Sequence, residues 1–486
     1  MSASTGGGGF LDGIAGAIGT PTAALRLLLS ILVGFPLATF YRKRLYGRSP
    51  ITQHCFFVVS GFLIGFWNYG MDMSHSVYAL CLTFLTFKVF GSTWTSVLVT
   101  FAYNMIHLLY GYYTTSTDDY DIKWTMPHCV LTLRLIGLAY DLLDGSQPDA
   151  KLSVTQRKTA LRRQPSLLEM AAYVYFPGSF LIGPQFSMRR YLDHVDGTLV
   201  ETGLDAEGRK LPPDSVVPGL KRAAVGFVYI ALYLFGTQYA SDQYLLDPDF
   251  EQLSFVRRCF LLGLWGRCNL YKYISCWLIT EGVCIAFGLA YNGRDEKTGR
   301  DKWDGLANVD LLTFENATEF NHYILSFNIN TNHWCAEYMY KRLKFLGSKL
   351  YSQLVTLTFL AIWHGTHSGY YLCFFQEFII MYFEKDMKPV LLKNEKLMNF
   401  ATGSMLGRIV TWILLKIYTF VFMGYSLIPF VLLSYSRYMK VYTSFYFMGH
   451  VIFLSYPLLA PFIKPLVRGG KRRSAEDSQQ QRPHTD

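Results

Sequence analysis

Two histidines stand in the uncharged stretch LAIWHGTHSGYY, residues 360–371, and a titratable ring in apolar sequence asks for a chemical reason. His364 and His367 lie three positions apart, which puts both on one face of a helix. Their run carries no charge from 350 to 376, so a helix through it holds His364 about 21 Å inside, at about 1.5 Å per residue. Gln353, Thr356, His364, His367, Ser368 and Tyr371 then form one polar stripe that is expected to line a cavity. Gly365 and Gly369 make a Gly-x-x-x-Gly step that admits a neighbouring helix closely.

A neutral imidazole in a dry cavity is a general base suited to neutral pH, and an alcohol is a proton donor it can activate. When the resulting oxygen attacks an acyl group, a nearby side-chain amide can donate to the developing oxyanion or orient the base. SFNINTNHW offers Asn328 and Asn332, four apart and on one face if helical, or else amides that satisfy the backbone of a broken element. The surrounding FNHYILSFNINTNHWCA is uncharged, only 17 residues long and holds four asparagines. That composition suits a re-entrant or tilted element buried in protein. A metal is not expected, because no His-Glu-x-x-His pattern is present and Glu377 stands ten residues beyond His367.

These residues must be positioned by membrane elements. The chain has 486 residues, 51% hydrophobic and 16% charged, whereas soluble domains are about one quarter charged. Uncharged runs able to cross about 30 Å of hydrocarbon lie at 53–71, 92–117, 170–188, 223–241, 350–376, 417–436 and 441–463. Further apolar stretches at 20–41, 75–91, 124–143, 259–270 and 271–292 contain Arg26, Lys88, Arg134, Arg267, Lys272 and Glu281, which should meet a cavity or another helix. The expectation is an all-α, polytopic bundle of about eleven spans around a central cavity. Pro184 is expected to bend its helix.

Residues 1–19 read as a flexible leader, 20–466 as a single membrane domain and 467–486 as a disordered tail. No cleavable signal pattern precedes the first span. Arg42, Lys43, Arg44 and Arg48 after the first span, and Lys471, Arg472 and Arg473 after the last, are two clusters expected to be cytoplasmic by the positive-inside tendency. With an odd number of spans the N-terminus is then luminal and the C-terminus cytoplasmic. Nine cysteines without a Cys-x-x-Cys pair argue against a disulfide framework or a zinc cage. Lys and Arg exceed Asp and Glu by 45 to 35, but no soluble stretch is long enough for a nucleic-acid-binding domain, so anionic headgroups or a phosphorylated cosubstrate fit the excess better.

SFNINTNHW followed by IWHGTHSGYY resembles the paired signature of the membrane-bound O-acyltransferase family. YDIKWTMPHCVLTLRLIGLAYD, SLLEMAAYVYFPGSFLIGPQFSM, LYKYISCWLITEGVCI and KRLKFLGSKL extend the resemblance over most of the chain, toward the lysophosphatidylcholine-acylating branch that prefers polyunsaturated chains. The resemblance implies that His364 is the catalytic histidine, Asn328 its partner and Trp334 the motif's tryptophan. Asn332 is the second choice for the asparagine, and His367 stands outside the family pattern. It implies acyl-CoA as cosubstrate with no bound cofactor, a lysophospholipid acceptor, and an endoplasmic-reticulum membrane.

Tyr340, Lys341, Arg342, Lys344 and Lys349 form either a basic collar for acyl-CoA phosphates or a positive-inside flank. Tyr371 on the stripe joins the candidate substrate contacts. Glu281 and Lys272 are expected to pair with each other or to meet a choline headgroup. Asn316-Ala-Thr318 is a glycosylation sequon. Two rival readings remain: acylation of a sterol, diacylglycerol or peptide hydroxyl, and a proton-coupled transporter with His364 and Glu281 as carriers.

Overall fold

The computed structural model describes residues 9–17, 19–117 and 122–468. Lys471, Arg472 and Arg473, nearly all of the expected disordered tail and the first eight residues of the leader lie outside the described residues. Within the leader, Phe10–Ala17 is helical. Among the described residues the fold is all-α, with antiparallel bridges only at Leu204–Lys210, Arg294–Asp301 and Val309–Phe327.

Among the described residues, seven helical elements are long and apolar enough to cross a membrane: Thr22–Arg44, Pro50–Phe90, Thr125–Gly145, Val216–Leu245, Phe255–Phe287, Met405–Leu432 and Met448–Arg468. Pro50–Phe90 is turned at Gly70–Asp72 into two helices, Pro50–Tyr69 and Met73–Phe90. Trp94–Thr115 and Ser368–Leu392 are equally long. They stay outside that set because of Asn104 and His107 in the first, and five charged side chains from Glu377 to Lys388 in the second. Seven elements therefore meet both criteria, against the about eleven spans read from the sequence.

Five of the expected stretches are built differently. Residues 170–188 do not cross as a helix: Leu167–Val174 is followed by an irregular buried segment, because Pro177, Gly178, Gly183 and Pro184 interrupt the backbone pattern. Pro184 consequently bends no helix. The two stretches 259–270 and 271–292 are one 33-residue helix, Phe255–Phe287, since Arg267 and Lys272 do not interrupt the backbone. The run 350–376 is two helices, Lys349–His364 and Ser368–Leu392, separated at Gly365. In the last run, too, the chain turns at Tyr446 and Phe447, both at positive φ, before Met448–Arg468.

The Thr125–Gly145 helix is the central post, with nearly every side chain from Leu131 to Asp144 buried. It shares one hydrophobic core with the first helices, the Met170–Val195 region and the end of Phe255–Phe287. The beginning of Phe255–Phe287 belongs to a second core, with Tyr425, Ile428, Tyr438 and Tyr442. That helix joins the two halves.

Apolar surroundings make the irregular segment after Val174 costly unless its carbonyls find donors. Arg134 supplies them. Its Nη1 donates to Tyr173 O and Val174 O, both at 3.2 Å, and its Nη2 to Ser179 O at 3.3 Å, Ser179 Oγ at 2.6 Å and Pro184 O at 3.1 Å. The guanidinium lies 4.7 Å from the Phe186 ring centroid, which adds a cation–π contact. The other intramembrane charges also meet partners: Arg267 pairs with Glu315 at 3.7 Å, while Arg26, Lys88 and Lys272 lie over Trp67, Phe84 and Tyr273.

Arg134→Met should lower the melting midpoint in detergent by several degrees and reduce the monodisperse fraction on size exclusion, since each buried acceptor left unpaired costs about 1–3 kcal/mol. Arg134→Lys, with three donors on one nitrogen, should fall between the two. An unchanged midpoint in the methionine variant would contradict this role.

Candidate active site

The asparagine-rich segment is a helix, a break and a second helix: Phe320–Ser326, then Phe327 and Asn328, then Ile329–Tyr338. Asn328 sits at the break with φ 51° and ψ 43°, a left-handed conformation that asparagine adopts more readily than most residues. The chain around 308 clamps the break. Ile329 N donates to Asn308 O at 3.0 Å, Asp310 N to Ser326 O at 2.9 Å, and Asn330 N to Asn308 Oδ1 at 3.0 Å.

The two candidate amides are thereby distinguished. Asn332 Nδ2 donates to Ile324 O and Phe327 O, both at 2.9 Å, so this amide ties down the preceding turn. Asn328 uses only its oxygen, which accepts from Asn308 Nδ2 at 3.4 Å. Among the described residues its Nδ2 has no hydrogen-bond partner, and Asn328 lines a small cavity of about 20 Å³ with Asn308, Thr331, Pro184, Gln185 and Trp363.

His364 closes the Lys349–His364 helix. Its Nδ1 lies 2.7 Å from Leu360 O. A carbonyl only accepts, so Nδ1 carries the ring proton and Nε2 keeps its lone pair. Among the described residues no hydrogen-bond partner reaches that Nε2. The half-buried ring is enclosed by Trp363, Phe374, Phe430 and Tyr370, at centroid distances of 4.6, 5.0, 5.3 and 5.8 Å. The wall shared with Asn328 is made by the preceding residue, Trp363, whose Nε1 donates to Cys129 O at 3.0 Å. Tyr112 OH donates to Trp363 O at 3.0 Å and holds the end of the helix.

Gly365 has φ 144° and ψ −170°, and a Cβ there would come within 3.0 Å of the Tyr370 ring. It breaks the helix, so the expected continuous polar stripe divides: Gln353, Thr356 and His364 lie before the break, His367, Ser368 and Tyr371 beyond it. His367 becomes the N-cap residue of the next helix, its Nε2 within 3.1 Å of Ser116 Oγ. None of the six stripe residues, His364 included, lines either of the two cavities, and Tyr371 is 41% exposed on the outside. Of the two glycines, Gly369 admits a helix, as its missing Cβ makes room for Pro429 O.

A larger cavity of about 170 Å³ lies between the central post and the Ile329–Tyr338 helix. Gln185 lines both cavities. Trp334 forms a wall of the larger one, stacks on Phe359 at 5.8 Å and donates from Nε1 to Leu133 O at 2.9 Å. Gly137 lets it approach, since a Cβ there would stand 2.9 Å from that nitrogen. Asp141, which accepts from Tyr338 OH at 2.7 Å, and His333 are among its polar lining.

Two of the four cations of the expected collar, Lys341 and Arg342, are neutralised. Arg342 forks onto Asp144, with Nη1 to Oδ1 at 2.8 Å, and its guanidinium lies 4.8 Å from the Tyr140 ring. Lys341 pairs with Glu337, which also accepts from Thr155 Oγ1 at 2.9 Å. Lys344 is exposed, with no such pairing among the described residues. Glu281 does not pair with Lys272. Its Oε2 accepts from Arg222 Nε at 2.6 Å and its Oε1 from Asn308 N at 2.7 Å, because Val216–Thr237 packs along Phe255–Phe287 and brings Arg222 to it.

Asn308, Gln185, Asp141, His333 and Trp363 escaped the sequence reading. Asn308 lies in a polar insert with no motif around it, and Gln185 in a stretch that reads as a helix. Asp141 could have been noticed as an acidic residue inside an apolar stretch, seven positions after Arg134 and on the same helix face.

Residues 109–428 match the MBOAT, or membrane-bound O-acyltransferase, family, and the protein belongs to that family. The match contains every residue of both cavities and both candidate catalytic side chains. Among its relatives, lysophospholipid acyltransferase 5 of Homo sapiens is 44% identical over 453 residues, covering 93% of this chain and 91% of the relative. Lysophospholipid acyltransferase 5 of Drosophila melanogaster is 41% identical over 486 residues, covering 98% and 95%. Lysophospholipid acyltransferase of Saccharomyces cerevisiae is 27% identical over 491 residues, covering 94% and 78%.

Gly365→Ala forces a side chain into a conformation that costs about 1–3 kcal/mol and crowds Tyr370. Acyl transfer should fall about tenfold or more, because His364 is displaced from the end of its helix. Wild-type activity in a Gly365→Ala protein of normal yield would show that the turn places nothing needed for transfer.

Proposed function

We propose that the protein transfers a fatty acyl group from acyl-CoA to the free sn-2 hydroxyl of a lysophospholipid. Lysophosphatidylcholine is the first acceptor, lysophosphatidylethanolamine and lysophosphatidylserine are further ones, and polyunsaturated acyl-CoA is the preferred donor. The carrying observation is the His364 ring, whose Nδ1–H is committed to Leu360 O and whose Nε2 is left as a base. In the proposed reaction Nε2 takes the hydroxyl proton as the oxygen attacks the thioester carbonyl. The tetrahedral oxyanion is met by the Asn328 amide, the C–S bond breaks, and the imidazolium returns the proton to the coenzyme A thiolate. Atoms balance without a covalent acyl-enzyme.

Several features support this reading. The aromatic enclosure around His364 excludes water, which would hydrolyse the thioester. The larger cavity is lined by Arg342 and by Glu337, the partner of Lys341, and both cations are donors suited to the phosphates of coenzyme A once they exchange carboxylate for phosphate. The lysophospholipid acceptor follows the names of the relatives at 41 to 44% identity. A location in the endoplasmic-reticulum membrane, with a luminal N-terminus and cytoplasmic C-terminus, belongs to the same proposal. Against a proton relay, Glu281 is fixed between Arg222 and Asn308.

Mass spectrometry of products from mixed acyl-CoAs and mixed lysolipids tests donor, acceptor and position together. His364→Ala should give no product above background at wild-type yield, while His367→Ala keeps most activity; equal losses would overturn the assignment. Replacing Lys341, Arg342 and Lys344 together with Gln should raise the apparent KM for acyl-CoA several-fold more than that for the lysolipid. An unchanged ratio would remove these side chains from donor recognition.

A further inference from the structure

We infer that Asn308 is the positioning residue that orients the Asn328 side chain, with the Arg222–Glu281 pair anchoring Asn308 from behind. This rests on the role given to Asn328 above. A terminal amide turns easily about its last torsion, where the two orientations exchange oxygen and nitrogen. An amide that must present its N–H₂ to an oxyanion therefore needs an external group that reads its oxygen. Asn308 Nδ2 does so at 3.4 Å, a long bond, yet a donor facing a donor in the flipped orientation would be repulsive. The oxygen of Asn328 thus faces Asn308.

Asn308 is itself held at four points. It is buried, its Oδ1 accepts from Asn330 N at 3.0 Å and Asn330 Nδ2 at 3.2 Å, its backbone oxygen accepts from Ile329 N at 3.0 Å, and its backbone N–H donates to Glu281 Oε1 at 2.7 Å. Glu281 is oriented in turn by Arg222, whose Nη2 also donates to Val309 O at 2.7 Å. The chain of contacts runs from two packed helices, Val216–Thr237 and Phe255–Phe287, through one short strand-like segment to the left-handed turn at Asn328. Both asparagines line the same small cavity.

Asn308→Asp keeps the acceptor that binds Asn330 N and removes the donor that reads Asn328. In the full-length protein in detergent, kcat should fall about tenfold or more, with both KM values within about twofold and a wild-type melting midpoint. A second variant, Asn308→Ser, too short to reach Asn328, should show the same split. Adding Asn308→Asp to Asn328→Ser should lower kcat by less than about threefold, because the two act as one unit.

A wild-type kcat in a well-folded Asn308→Asp protein overturns the inference, as does a loss shared between kcat and a lowered midpoint in both variants. Full additivity in the double variant overturns it too. Wild-type activity in Asn328→Ala would instead remove the role of Asn328 itself, so the two failures are told apart.

Discussion

A peptide group that leaves a helix inside a bilayer must find a hydrogen-bond partner in the protein. In this fold one element supplies partners both to freed backbone and to side chains near the site. On the Thr125–Gly145 helix, Cys129 O accepts from Trp363, Val130 O from Gln185 and Leu133 O from Trp334, while the Arg134 guanidinium gathers the carbonyls of the irregular segment. A helix carbonyl has a second lone pair beyond its own ladder bond, and here it is used to register neighbours. Four nearby positions on one buried helix thus fix three walls of the cavities.

The same constraint explains why the two candidate catalytic side chains sit at helix ends. Inside a helix, a side chain is placed by its ladder and leans on its neighbours. At a break it is set by whatever satisfies the freed backbone. Asn328 is held by the 308–310 segment and His364 by its own fourth-preceding carbonyl. Gly365 then removes the chain that would otherwise continue over the imidazole. The breaks are part of how the site is assembled.

This also marks where sequence reasoning ran out. His364 stood out as a histidine in uncharged sequence, Asn328 was singled out among four asparagines only by the family resemblance, and the all-helical class followed from run length. The continuous helix through Gly365 and the span at 170–188 were misread because apolarity reports burial, and a segment buried in protein looks like one buried in lipid. Arg134 was visible as an intramembrane charge, but its partners are backbone carbonyls, which carry no residue type. Glu281 gave the same warning, and its true partner, Arg222, lies on a different helix, 59 positions away. Asn308 had no signal at all, as its role comes from tertiary contacts alone.

In the proposed reaction, the contact between His364 Nδ1 and Leu360 O matters most at the moment of transfer. A hydrogen bond from a neutral imidazole to a carbonyl is ordinary, but when Nε2 takes a proton the same bond gains charge assistance and strengthens. It therefore favours the transition state over the resting enzyme, as catalysis requires. The end of the helix adds to this, because the carbonyls of its last turn carry partial negative charge toward the ring. The aromatic enclosure works the other way, since it offers the imidazolium little solvation beyond the ring faces. A cation formed there is stable only while the tetrahedral oxyanion stands beside it. In the proposed reaction, return of the proton to the departing thiolate is thereby favoured over its escape to water, which couples attack to departure without an acyl-enzyme intermediate.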